Sequence, residues 1–143
     1  MSSFQIQDAD FERRVRESFS RQRVMGLIGA SLRRVEPGAV DIVLPYRDDL
    51  TQQDGYLHAG ILTTVADSAC GYAAYTLMPA GSEVLSVEFK VNLLRPAAAE
   101  MFVAEARVLK AGKTLTVTRG DVYGAAGGET KLVATMLATM IRR

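Results

Sequence analysis

The first periodic segment of the chain is amphipathic. Phe11, Val15 and Phe19 recur every four residues, while five arginines occupy other positions between residues 13 and 23. This spacing is typical of a helix with one apolar face, and it predicts a helix over residues 8–25 that follows an Asp cap. Two glutamates are interspersed among the arginines, so we interpret the charged side as a solvated face rather than a phosphate-binding patch.

Shorter segments with a period of two predict six strands. The first two flank the turn Glu36-Pro37-Gly38 and form a hairpin, and tight links that contain glycine indicate an antiparallel meander for the other four. The predicted strands are Ser31–Val35, Val40–Leu44, Leu85–Leu93, Met101–Leu109, Leu115–Tyr123 and Leu132–Ile141.

An apolar run between the two groups of strands predicts a long central helix over residues 58–78, which Pro79-Ala80-Gly81 ends. The run has nearly the length of a membrane span, but His58 and Asp67 interrupt it, so we expect a buried helix of a soluble protein. These elements predict one α+β domain over residues 1–143. Its curved antiparallel sheet of about six strands wraps around the central helix, with an extra helix at the N-terminus.

Charge and composition exclude several kinds of partner. The 143 residues carry 17 Lys and Arg against 16 Asp and Glu, a net charge of +1, so we expect no binding to nucleic acid or to a membrane surface. A polar N-terminus without an apolar core and a single cysteine, Cys70, favour the cytoplasm. One cysteine and one histidine exclude a Cys/His metal cluster of the usual spacing, and we expect no metal and no cofactor.

Asp67 carries the strongest indication of chemistry, because a carboxylate in a helix of apolar residues is costly to bury. The same helix opens with His58-Ala59-Gly60, where the unpaired amides near Ala59 and Gly60 are candidates for binding an oxyanion, and Gly60 allows close approach of a ligand. Nine residues of helix span about 13.5 Å, so His58 and Asp67 of one chain cannot touch. A site that uses both needs two chains, which predicts a dimer.

Two segments carry a family resemblance. Residues 52–74, QQDGYLHAGILTTVADSACGYAA, and residues 86–96, SVEFKVNLLRP, resemble the PaaI-like branch of the hot-dog-fold acyl-CoA thioesterases. Members carry His-Gly-Gly at a helix start, an acid nine residues later, and a Thr/Ser-Val-Glu strand that ends in Arg-Pro. The resemblance covers residues 25–141. It implies hydrolysis of acyl-CoA, with coenzyme A only as part of the substrate, by a metal-free homodimer that pairs into a homotetramer.

The resemblance also implies roles for five residues. Asp67 would be the nucleophile or general base, and the Ala59 amide would polarise the thioester carbonyl. His58 and Gln52 would orient substrate or water, and Ser86 would assist near the leaving thiolate. Two positions differ from the family pattern: Ala59 replaces a glycine but keeps its amide donor, and Gln52 replaces an asparagine.

The remaining site predictions are open between function and structure. Simple alternation places Ser86 away from the apolar face of its strand, and only a bulge or a place at the dimer seam would bring it to the site. Tyr72 and Phe89 are candidates for an acyl pocket, although such positions are core by default. Arg95 either contacts the phosphates of coenzyme A or is an ordinary exposed arginine. We interpret Cys70 as a buried structural thiol.

Two other functions compete with thioester hydrolysis. A hot-dog enoyl-CoA hydratase or dehydratase also uses an acid with a histidine, but Asp54 precedes His58 without the Asn-Pro that the hydratase signature places between them. A non-catalytic acyl-CoA binding module is the other alternative, and Ala59 in place of glycine is the best sequence argument for it.

Overall fold

The computed structural model describes residues 4–143, so the first three residues of the predicted domain lie outside it. Three α-helices, six strands and one short 3-10 helix make up the described chain. In order they are α1 (Phe11–Arg21), α2 (Arg23–Ile28), β1 (Ser31–Glu36), β2 (Ala39–Pro45), the 3-10 helix (Asp48–Leu50), α3 (Ala59–Tyr75), β3 (Val84–Leu93), β4 (Met101–Ala111), β5 (Leu115–Ala126) and β6 (Glu129–Arg142).

The N-terminal segment forms two helices, so the prediction of one helix over residues 8–25 is wrong. The break is at Gln22, whose backbone is extended at φ −79° and ψ 94° and whose N–H still donates to the Phe19 carbonyl. Asp10 precedes α1, but its side chain makes no capping hydrogen bond. The second helix ends at Gly29, whose φ of 80° is the left-handed conformation that glycine adopts without steric cost.

All six strands form one antiparallel sheet in the order β1-β2-β4-β5-β6-β3. The predicted four-strand meander is therefore wrong for β3, which pairs with β6 and lies at an edge. The segment between β3 and β4, residues 94–100, is not a tight turn, because it runs to the loop before α3, where the Ala97 carbonyl accepts a hydrogen bond from Leu57 N–H. The true meander is β4-β5-β6, and β4 continues the β1-β2 hairpin.

Helix α3 packs on one face of this sheet, as the sequence predicts. Small side chains allow the close approach: a Cβ added to Gly120 of β5 would lie 2.8 Å from Cys70 Sγ of the helix. The α+β class, the six-stranded sheet and the long central helix are confirmed. The helix is shorter than the predicted residues 58–78, because His58 caps its start and Thr76 its end. No helix within residues 4–143 combines the length and the apolar character needed to cross a membrane.

Strand β3 differs from the others in its surroundings. Its register against β6 shifts between Ser86 and Glu88, which marks a β-bulge. Beyond the bulge Phe89, Val91 and Leu93 stand opposite the buried β6 residues of the helix-facing side. Phe89 and Leu93 nevertheless keep 43% and 53% of their surface exposed. One edge of β3 and part of its apolar surface are therefore open.

Candidate active site

The start of α3 is built around His58. His58 is the N-cap residue, with an extended backbone, and its Nδ1 accepts the Gly60 N–H at 2.8 Å. A Cβ on Gly60 would lie 3.0 Å from that nitrogen, so glycine leaves room for the capping contact. Because Nδ1 accepts, a neutral imidazole carries its proton on Nε2, and His58 presents an N–H donor on its exposed side.

The Ala59 N–H is the free amide of this helix start. Ile61 and Leu62 both donate to the His58 carbonyl, at 2.9 and 3.3 Å, and the Gly60 amide is taken by the imidazole. Ala59 N–H donates to no residue in the part of the chain that the structure describes. The expectation that the Gly60 amide is also available for an oxyanion is therefore wrong, whereas the Ala59 amide lies unpaired at the positive end of the helix dipole.

Gln52 organises the loop that leads into α3. Its Oε1 accepts the backbone N–H groups of Asp54, at 2.6 Å, and Tyr56, at 3.2 Å. The bridge between Thr51 and Leu57 closes the base of this loop. The side-chain carbonyl is thus committed to the backbone, while Nε2 makes no hydrogen bond to any of residues 4–143 and is left as a donor.

Asp67 and Ser86 meet in the middle of α3. The Ser86 Oγ donates to Asp67 Oδ1 at 2.6 Å, and it also lies 3.4 Å from Met140 Sδ. The bulge in β3 makes this possible, because it places Ser86 opposite Met140 on the side that faces the helix. Simple alternation was therefore wrong for Ser86, and the bulge named as the exception is present. The half-buried Asp67 forms no ion pair with any described cationic side chain, so its negative charge is not neutralised.

Asp67 opens into a groove with a cavity volume of about 290 Å³. One stripe of α3 forms its floor, β3 forms one wall, and α1 with the break at Gln22 forms the other. The lining residues are Ser18, Gln22, Asp67, Ser68, Gly71, Tyr72, Val84, Leu85, Ser86 and Met140.

Hydrogen bonds tie the α1 wall of this groove to its floor. The Ser68 Oγ donates to Gln22 Oε1 at 3.0 Å, and the Ser18 and Tyr72 hydroxyls are 3.2 Å apart. Burial raises the pKa of Tyr72, so its hydroxyl stays protonated. No pattern in the sequence indicated a functional role for Ser18, Gln22 or Ser68. Local spacing carries no signal for a pair such as Gln22 and Ser68, which lie 46 positions apart.

Two predicted substrate residues lie away from the groove. Phe89 stands opposite Ala138 on the helix-facing side of β3 but does not line the cavity. Arg95 donates through Nη1 to the Leu132 carbonyl at 2.7 Å and lines a second cavity of about 320 Å³, together with Tyr56 and Lys131. Of the predicted substrate residues, the structure thus brings Tyr72 to the Asp67 groove and leaves Phe89 and Arg95 elsewhere.

Cys70 lies one residue from the groove floor but is fully buried. Burial raises the pKa of its thiol to about 12, so almost no thiolate exists near neutral pH. The interpretation as a buried thiol is confirmed. Within residues 4–143, no three His, Cys, Asp or Glu side chains are grouped as metal ligands would be.

One chain thus presents two separate groups of polar atoms. His58 and the Ala59 amide stand at the start of α3, and Asp67 with Ser86 lies in its middle. Because α3 is continuous from Ala59 to Tyr75, nine residues separate the two groups by about 13.5 Å along the axis. That distance exceeds the size of a thioester group.

Comparison with known protein families matches residues 54–131 to the thioesterase superfamily. Acyl-coenzyme A thioesterase 13 of Homo sapiens is 33% identical over 114 residues, which are 79% of this chain and 78% of that protein.

Solved structures agree with the family match. A thioesterase family protein from Silicibacter pomeroyi shares 50% identity and superposes with a TM-score of 0.91, covering 92% of this chain and 97% of that one. The E. coli PaaI protein from the phenylacetic acid degradation operon superposes with a TM-score of 0.86 at 18% identity, covering 97% and 96% of the two chains. At that identity the likeness concerns the fold alone, and it confirms the expected hot-dog fold.

Proposed function

Because the chain belongs to the thioesterase superfamily, we propose that it hydrolyses acyl-CoA thioesters to a free acid and coenzyme A, at active sites that two copies of the chain build together. The observation that carries this proposal is the pair of incomplete groups on α3. One group has an unpaired amide donor without a nucleophile, and the other has an unneutralised carboxylate without an oxyanion donor. Two antiparallel copies of α3 would bring them together twice.

Strand β3 supports the two-copy arrangement. It pairs with β6 on one side only, so its other edge offers unpaired backbone groups to a second strand. Val87, Phe89 and Leu93 are 55%, 43% and 53% exposed there, which is unusual for an edge strand that remains in water. Antiparallel pairing of β3 with β3 about an axis at Phe89 would place Glu88 of each copy beside Lys90 of the other.

The same arrangement extends the sheet across the two copies and sets their α3 helices side by side. A homodimer is therefore the proposed active unit. Leu115 and Leu137, about half exposed on the side of the sheet away from α3, support pairing of dimers into the predicted homotetramer.

The proposed chemistry follows from the polar atoms present. Asp67 takes a proton from a water molecule, and the resulting hydroxide attacks the thioester carbonyl carbon. The Ala59 N–H of the other copy and the helix dipole stabilise the tetrahedral oxyanion. The carbon–sulfur bond then breaks, and the proton held by Asp67 goes to the leaving sulfur. In the alternative route Asp67 attacks the carbonyl itself, and water hydrolyses the mixed anhydride.

Other side chains have supporting roles in this proposal. Ser86 fixes the carboxylate of Asp67 and lies where the leaving thiolate would form. The free N–H groups of His58 and Gln52 orient substrate or water. Arg95, together with Lys131 in the second cavity, supplies positive charge for the phosphates of coenzyme A.

A thiol-release assay on a series of acyl-CoA chain lengths tests the proposal. The wild-type protein should release coenzyme A, and Asp67→Ala should remove that activity while the dimer persists. Hydration of crotonyl-CoA without thiol release would instead indicate a hydratase. Binding of acyl-CoA without either reaction would indicate a non-catalytic binding module.

A further inference from the structure

The groove beside Asp67 has a polar side at α1. The amide of Gln22 enters the groove at the break between α1 and α2, and the Ser68 hydroxyl holds its Oε1 at 3.0 Å. Its Nε2 makes no hydrogen bond to any residue from 4 to 143. The amide is therefore held in one orientation while its donor remains unused.

The geometry of the groove indicates which part of a substrate reaches this donor. Coenzyme A is too large for a cavity of about 290 Å³ and must extend toward solvent, so the acyl group occupies the groove. Gly71 leaves space along the floor, since a Cβ there would meet only Met140 Sδ, at 4.0 Å. An acyl group whose thioester carbonyl lies beside Asp67 can therefore extend along α3 past Ser68 and Tyr72, which are one turn apart and line the same cavity.

An acyl chain without oxygen is poorly suited to the polar α1 side of the groove. It would displace water from the Gln22 amide without replacing the lost hydrogen bonds, and leaving a polar group unpaired costs more than a hydrogen bond gains. The neighbouring Ser18 and Tyr72 hydroxyls add polar atoms to the same wall. An acyl oxygen restores the missing partner.

We infer that Gln22 determines acyl specificity, because its Nε2 donates a hydrogen bond to an oxygen carried on the acyl group, so that hydroxylated acyl-CoA thioesters are preferred over their unsubstituted counterparts. This inference rests on the proposed function. Ser68 acts as a positioning residue, since its hydroxyl holds the Gln22 amide in place.

Matched substrates test the inference. Values of kcat/KM are measured for hexanoyl-, 3-hydroxyhexanoyl- and 6-hydroxyhexanoyl-CoA, which place one oxygen near to or far from the thioester. At least one hydroxylated substrate should exceed hexanoyl-CoA by about tenfold, the effect of one hydrogen bond in a partly closed site. Gln22→Leu should abolish that preference. Gln5→Leu, at an exposed position of the N-terminal segment, is the matched control and should retain it.

Ser68→Ala provides a second variant that does not alter Gln22 itself. It should weaken the preference by about threefold through a higher KM, because the amide is then free to turn. The same change made in Gln22→Leu should have no further effect on the preference, since the two residues act through one contact.

The outcomes separate this inference from the proposed function. Hydrolysis of all three substrates at equal rates, or a preference that survives Gln22→Leu, overturns the inference and leaves thioester hydrolysis intact. If none of the three substrates is hydrolysed under conditions where acyl-CoA binds, thioester hydrolysis itself fails, and the role of Gln22 fails with it.

Discussion

The start and the middle of α3 differ in the polar group that each leaves without a partner. At the start, the Gly60 N–H donates to His58 Nδ1, and the Ala59 amide is left as an unpaired donor. In the middle, Asp67 holds a hydrogen bond from Ser86 but has no cation to neutralise it. This difference is the reason we propose that each region is completed by the other region of a second copy.

The largest expected effect comes from the middle of the helix. Asp67→Asn keeps the shape of the side chain and the contact with Ser86 but removes the base, so kcat/KM for an acyl-CoA substrate should fall about a thousandfold or more. Thiol release measures this loss, and size-exclusion chromatography checks that the dimer remains. Asp49→Asn, at an exposed ion pair, is the control. Full activity of Asp67→Asn would remove the carboxylate from the chemistry.

A change at the start of the helix should have the next largest effect. Ala59→Pro removes the unpaired N–H, and proline is favoured at the first position of a helix. The preceding His58 already has the extended conformation that proline requires, at φ −62° and ψ 136°. We expect kcat to fall about 100-fold to 1000-fold with little change in melting temperature. Ala59→Gly keeps the amide, and its activity should stay close to wild type; an equal loss in both variants would contradict the role of the donor.

In the proposed dimer, the edge strand β3 decides whether the two regions can meet. Phe89→Asp would place an unpaired charge in the proposed β3 contact, at a cost of several kcal/mol, so the dimer should weaken by about a hundredfold or more. Analytical ultracentrifugation should detect monomers, and the activity should fall in proportion to the fraction of dimer that is lost. Leu27→Asp, at an exposed position of α2, is the matched control and should remain dimeric. Active monomers of Phe89→Asp would separate the chemistry from the second copy.

Cys70 should contribute only to stability, although it lies one turn beyond Asp67. Its thiol has a pKa of about 12 in the folded chain against an ordinary value of 9.0, so between these pH values the unfolded chain releases a proton that the folded chain retains. The free energy of unfolding should therefore fall by about 1.4 kcal/mol per pH unit above pH 9 because of this group. Urea titrations should show that the free energy of unfolding falls less steeply with pH in Cys70→Ala than in wild type. Release of coenzyme A from an acyl-CoA substrate at pH 7 should be the same for both proteins. Equal slopes of unfolding free energy against pH for the two proteins would contradict the raised pKa of the buried thiol.

Much of the fold follows from periodicity. The long apolar run predicted α3, and alternating residues predicted six strands, because burial on one face leaves a pattern in the sequence. Strand order left no such pattern: the alternation in Leu85–Leu93 indicates which residues share a face but not that β3 pairs with β6. No glycine or proline marks the helix break at Gln22 in the sequence, and the contact of its side chain with Ser68 of α3 joins distant positions.

The site was predictable where it is local in the chain. Asp67 and His58-Ala59-Gly60 stood out because a carboxylate and a histidine interrupt an apolar helix. Ser86 could not be placed, since a bulge reverses the face that each residue of a strand presents. Gln22 and Ser68 could not be paired, because their contact joins α1 to α3 across 46 positions.

Mixing two inactive variants tests the proposed two-copy site most directly. Asp67→Asn and Ala59→Pro chains are unfolded together and refolded in equal amounts. Half of the resulting dimers then contain one of each, and each mixed dimer has one site with both native groups, so about a quarter of wild-type thiol release should return. If each site lay within one chain, mixing the two variants would restore no activity. Activity no greater than the sum of the two separate variants would therefore contradict the two-copy site.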